Sequence, residues 1–236
     1  MAIYLIGTAH PYEKQGSKKL ERLYEKIQPS KVMSETSEEE AKFFATFSSK
    51  LLTKMISKSY DTKKALKLID TLSASMMGFE HRFNETYSID HDISHIRIDE
   101  LDGFNALGWR SNFDDLSQLF EGDDQVDIDK LIKDYERENL SAKKLKEGWD
   151  NLKTIENTPE FDENFPKCDE GRNEFKRNLT MARNIRDNYQ SPENICITVG
   201  AAHTLESLEG LSLYSRIKDL NPKRLILFEN SRTWKL

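Results

Sequence analysis

Cysteine is scarce in this chain: two among 236 residues, Cys168 and Cys196, far apart and in no C-x-x-C arrangement. That usage points to a reducing compartment, with Cys196 packed as a small hydrophobe inside an apolar segment. Long apolar runs are also missing. None approaches the roughly 18 to 20 residues needed to cross a bilayer, so no membrane partner is expected. The first apolar segment begins right after Met1 and leaves no room for a signal peptide, and the expected location is cytoplasmic. No basic stripe offsets the acidic excess that gives a net charge of −6, which argues against nucleic acid as a partner. There is no Walker loop, no G-x-G-x-x-G and no G-x-S-x-G elbow. Nucleotide hydrolysis and serine-hydrolase chemistry therefore have no support. Low-complexity tracts are absent.

One short pattern is present twice. IYLIGTAH covers Ile3 to His10, and ICITVGAAH covers Ile195 to His203. Each is an apolar run of strand character followed by Gly, two small residues and His. Such a segment ends a buried strand, lets the backbone turn at Gly, and delivers an imidazole past the strand's carboxyl end. That edge is where open α/β sheets bind ligands. Two of the five histidines lie in these motifs, and they are expected to share a site.

Expected strands are Ile3–Ile6, Lys31–Ser34, His95–Ile98, Asn194–Val199 and Arg224–Phe228. Most are short continuous apolar runs, as in parallel strands covered on both faces. His95–Ile98 alternates instead, which suggests the edge of the sheet. Helical stripes connect the strands. They are Phe43, Phe47, Leu51 and Met55; Ala65, Leu66, Ile69, Leu72 and Met76 (capped by Asp61 or Thr62); Ile128, Leu131, Ile132 and Tyr135; and Phe175, Leu179, Ala182 and Ile185. The polar stretch Asn151–Asp169 reads as a loop. The expected fold class is α/β: one domain over 1–236 with a mainly parallel central sheet of about five strands and flanking helices. Surplus helix at about 37–94 and 103–168 predicts a helical cap subdomain.

Under that arrangement, polar residues following the strands converge on one rim: His10, Glu35, Asp99 and His203. Two imidazoles and one or two carboxylates suit a divalent metal, or general acid/base work. Each residue also has a plainer reading. Glu35 and Asp99 could charge the first turn of a helix, and either His could satisfy buried backbone groups. Asp90, His91, Asp92 and His95 form a weaker cluster with H-x3-H spacing. Gly108-Trp109 and Gly148-Trp149 read as packing anchors of the cap.

Taken in order, several blocks resemble the TraB/PrgY and GumN/Tiki superfamily. YLIGTAH is similar to its opening apolar strand and GT-x-H. Ser34-Glu35 matches the acid after the second strand, Gly78-Phe79-Glu80 a G-x-E opening a helix, and Ile96–Asp99 the strand that follows. Arg177-Asn178, Met181-Ala182 and Ile185 match an RN-x-x-MA-x-x-I helix, and ITVGAAH is close to VGAGH. The blocks run from Ile3 to about Leu211. After the second His the family pattern has Leu and then Gly, where this chain has Thr204 and a later Gly210. The resemblance implies a sheet with a helical cap and a site built from two Gly-x-x-His motifs. In Tiki-like members such motifs support metal-dependent proteolysis, and related branches include esterase-like and haem-binding proteins.

Carried over by position, the resemblance makes His10, His203 and Glu35 ligands of a divalent metal ion whose identity stays open. Glu35 and Glu80 become the acids, with Arg177 and Asn178 in support. The expected function is metal-dependent hydrolysis of a peptide or ester-type bond in a peptide or small-molecule substrate. The alternative is a non-catalytic ligand-binding or regulatory protein that uses the same site for a haem-like ligand or a peptide.

Overall fold

The computed structural model describes residues 2–9, 16–100, 114–122, 125–137, 142–164, 174–190 and 193–227. Five strands form one parallel sheet: β1 (Ile3–Thr8), β2 (Lys31–Ser34), β3 (Ser94–Arg97), β4 (Ile195–Gly200) and β5 (Lys223–Ile226). Their spatial order is β3-β2-β4-β1-β5. The expected α/β class is thus present, and the alternating strand lies at an edge. Pairing of Thr8 with Gly200 sets the two Gly-x-x-His strands side by side, with their glycines offset by one residue.

Alternation along the strands divides the core. Ile3, Leu5, Met33, Ile197 and Val199 face α9 (Glu174–Asn188) and α10 (Leu213–Ile217). Tyr4, Ile6, Val32 and Cys196 face α1 (Gly16–Ile27), with Phe83 and Tyr87 of α4 (Phe79–His91) packed against the same cluster. Cys196 is fully buried, as its apolar setting required. Gly78, with φ 77°, ends α3 and opens α4, a backbone conformation that favours glycine.

A separate cluster joins α2 (Glu38–Ser57), α3 (Thr62–Met77), α5 (114–119) and α6 (Ile128–Arg137) around Phe44, Phe47, Leu51, Met55, Leu68 and Phe120. These helices come from both expected cap segments. Ser37 and Glu40 close a reciprocal capping box at the start of α2, and Asp61 caps α3. Helix α4, although within 37–94, packs on α1 and β2 as a crossover helix of the sheet.

Two local expectations differ from the structure. Asn151–Asp169 is not all loop: α7 (Ala142–Thr154) continues into it and α8 (Pro159–Asn164) follows. Pro159 stands at a first helical position, where its missing N–H costs nothing. Along α9 the buried face is Asn178, Met181, Ala182 and Ile185, and Leu179 is 51% exposed. Trp149 is buried with Phe161, Leu205 and Ile226 as a packing anchor, whereas Gly108-Trp109 lies outside the described residues.

Candidate functional site at the carboxyl ends of the strands

Past the end of β2, the Glu35 N–H still donates to Thr198 O at 3.0 Å, so the residue is fixed beside β4. Its Oε2 accepts the Gly200 N–H at 2.6 Å, and its Oε1 accepts Arg177 Nη2 at 2.9 Å. Asp99 follows β3 and is held by its N–H to Thr36 O at 3.2 Å. Arg177, reaching over from α9, donates from both Nε and Nη2 to Asp99 Oδ2, at 2.9 and 2.5 Å. Burial pushes the Asp99 carboxyl above its usual range, against the lowering pull of Arg177, and the Glu35 charge adds to the rise.

The 3-10 turn Ala201–Thr204 carries His203 back over the sheet. Gly7 permits this crossing. A Cβ there would lie 3.0 Å from the Ala201 Cα and 3.1 Å from Thr204 Cγ2. Gly7 and Gly200 are both still within strands, and Gly200 has φ −54°, so neither glycine acts as the turn residue that the pattern suggested. The first motif's glycine is needed instead for close approach of the second motif's turn.

His203 Nδ1 is 2.7 Å from Asn178 Oδ1, while Asn178 Nδ2 donates to Leu211 O at 2.9 Å. An amide nitrogen cannot accept, so Oδ1 faces the ring and Nδ1 carries the hydrogen. The other nitrogen, Nε2, faces Glu35 Oε1 at 3.1 Å. A neutral ring with hydrogen on Nδ1 would set two acceptors against each other there. A proton held by either of the two atoms, or a cation between them, makes the contact favourable.

The pair also passes a geometric test for a metal. Two ligand atoms each roughly 2.0–2.1 Å from one ion stand about 3.1 Å apart when they subtend roughly 100°. Among the described residues no group of three His, Cys, Asp or Glu side chains is arranged to hold a metal. The expected third ligand, His10, lies outside the described residues.

The structure therefore brings Glu35, Arg177, Asn178 and His203 together with Asp99, one of the strand-end residues expected at this rim. Glu80 stands elsewhere. It is buried in the first turn of α4, where its Oε1 accepts Thr8 Oγ1 at 3.1 Å, and Thr8 points to the α1/α4 face of β1. The H-x3-H cluster does not form a ligand set. His91 stacks on Tyr87 at 4.0 Å, whereas His95 Nε2 bonds Ser34 Oγ at 2.8 Å.

A second polar cluster was not legible in the sequence. Ser34 Oγ meets Thr36 Oγ1 at 3.0 Å, and Thr36 Oγ1 meets His81 Nδ1 at 3.0 Å, which completes a chain from His95 to His81. Burial, with Arg97 next, brings His81 down to about 4; burial, then His81 and Arg97, brings His95 to about 4. The only available sign was Ser34 and Thr36 flanking Glu35.

Compared with known proteins, the chain matches no protein-family model, no curated protein and no solved structure.

Proposed function

We propose that this chain is a metal-dependent hydrolase acting on a peptide or ester-type bond, as the TraB/PrgY and GumN/Tiki resemblance implies. The observation that carries the reading is the His203 Nε2–Glu35 Oε1 contact, whose length of 3.1 Å is one that two ligands of a single ion can share. His203, Glu35 and His10 would hold the divalent ion. When bound, such an ion lowers the pKa of a coordinated water toward neutrality. Asn178 orients the imidazole, and the Gly200 N–H orients the Glu35 carboxylate. Asp99 steadies Arg177, a fixed cation beside the place where negative charge would build on the scissile carbonyl. The substrate is a small molecule or a peptide, and the setting is cytoplasmic.

Metal analysis of protein purified without chelator, joined to a peptide and ester hydrolysis panel, tests this. Bound divalent metal and metal-stimulated turnover are expected, with both lost in His203→Ala. No metal-stimulated turnover, or a His203→Ala protein as active as its parent, overturns it.

A second reading is a ligand-binding or regulatory protein. It is favoured by the closure of the cluster, whose Glu35, Asp99, Arg177 and His203 side chains are only 4 to 11% exposed. A Soret band that forms on haem titration and vanishes in His203→Ala, without turnover on the panel, would select it.

A further inference from the structure

The turn that carries His203 runs on into residues 205–212, LESLEGLS, which form no helix or strand of their own. What fixes them comes from α7 and α8. Trp149 and Phe161 pack with Leu205, and Ala201 and Leu211 join the same cluster, so the two helices hold the chain at the start of the His203 turn and beyond it. Glu156 Oε1 accepts the Glu206 N–H at 2.8 Å, and the Glu206 carbonyl accepts the Asn157 N–H at 2.8 Å.

Within this contact Asp162 of α8 is buried. The Thr158 hydroxyl accepts the Phe161 N–H at 3.3 Å and fixes the start of the short helix that carries it. A buried carboxylate is costly unless its oxygens are hydrogen-bonded. Here Oδ1 accepts the Ser207 hydroxyl at 2.6 Å, and Oδ2 accepts the Glu209 N–H at 2.8 Å. Both bonds go to the loop beyond His203.

From Asp162 a directed series of hydrogen bonds leads to the imidazole. A carboxylate only accepts, so the Ser207 hydroxyl donates to it, and the Ser207 oxygen accepts the Leu211 N–H at 2.8 Å. Leu211 is held again one residue on, where Ser212 caps α10. Its carbonyl accepts Asn178 Nδ2, and Asn178 Oδ1 accepts the His203 Nδ1–H. Every donor in the series points away from the ring and toward Asp162. We infer that Asp162 is a positioning residue for His203. By holding Ser207 and Leu211 it fixes the Asn178 amide, and through that amide the imidazole nitrogen turned to Glu35. The inference rests on reading the strand-end cluster as the functional site and does not depend on the reaction performed there.

Proton and nitrogen-15 NMR of the full chain tests it by reading exchange of the His203 Nδ1–H with solvent under conditions of local opening. In Asp162→Asn the exchange should rise about tenfold, the worth of one lost hydrogen bond. An amide cannot accept at both positions, so Ser207 or Glu209 loses its acceptor. Asn178→Ala should raise the exchange by as much or more. Adding Asp162→Asn to Asn178→Ala should then change nothing, since both act through one series of contacts. Leu51→Ala, which opens the separate cluster of α2 and α3, destabilises the fold and should leave the ring proton's exchange unchanged. An unmoved rate in Asp162→Asn, an additive rise in the double variant, or an equal rise in Leu51→Ala overturns the inference. Ser207→Ala breaks the same series with the carboxylate in place. It should repeat the rise, and it decides the matter if Asp162→Asn does not fold. No turnover is read, so failure here is distinct from failure of the hydrolase reading.

Discussion

Asn178 fixes which nitrogen of His203 faces Glu35. The 2.7 Å contact from Nδ1 to the amide oxygen, with the amide nitrogen tied to Leu211 O, leaves only Nε2 to meet the carboxylate. Nitrogen-15 NMR of the imidazoles should show His203 protonated at Nδ1. In Asn178→Ala this preference should weaken, since no acceptor remains to hold that hydrogen. A His203 ring protonated only at Nε2 would refute the hydrogen-bond assignment.

Arg177 separates two carboxylates that are themselves almost fully buried. Arg177→Met should destabilise the fold by about 3–5 kcal/mol, the usual result of leaving buried charge uncompensated. Adding Asp99→Asn should recover part of the loss, because one of the stranded charges is gone. Denaturant melts of the single and double variants check this, and a single variant within 1 kcal/mol of the parent, by the same principle, contradicts it.

Two glycines should respond in opposite directions to alanine. Gly7→Ala forces a methyl group against the Ala201 backbone and should cost about 1–3 kcal/mol. It should also disturb His203, whose turn must shift. Gly148→Ala, in α7 with open space around it, should stabilise by about 0.4–1 kcal/mol. Thermal melts of both variants provide the comparison.

The His81–His95 cluster should make the protein acid-sensitive. Both imidazoles are brought down to about 4 in the fold from an ordinary value of 6.5. Between those values the unfolded chain binds more protons, so stability is full above the unfolded value and falls as pH drops through 6.5 toward 4. Asp99 acts in the opposite sense. Its raised pKa leaves the folded state more protonated just above the ordinary carboxyl value, so its contribution falls as pH rises there. Unfolding midpoints from pH 7 to 4 should therefore decline, and His81→Gln should flatten the decline by about one proton. An unchanged slope in that variant would count against the cluster.

The strands were legible because each is a short apolar run, and Lys31–Ser34 has the bounds its hydrophobicity suggested. Position in the sheet then followed for the alternating edge strand. Glu35 and Asp99 stood out because they come directly after strands, which is a one-dimensional signal. Arg177's pairing was hidden, since nothing local to a helix tells its arginine that carboxylates past the ends of two distant strands will meet it. Leu179 misled for a related reason. Hydrophobicity placed it inward, but the buried face of α9 runs through Asn178, Met181, Ala182 and Ile185, and the Asn178 amide finds its partner in the Leu211 carbonyl. The His81–His95 chain depended on two hydroxyls crossing from β2 to α4, a contact with no periodic signature.

The pairing of β1 with β4 joins Ile3 to Ile195. Contacts of such long sequence separation close last and slow folding, because a large loop must be ordered before they reward it. Gly200, His203 and the neighbour of Gly7 all arrive with β4. A chain emerging during synthesis would therefore have β2, α2 and α3 available long before it could form the strand-end cluster. Whatever chemistry that cluster performs is withheld until nearly the whole fold is made.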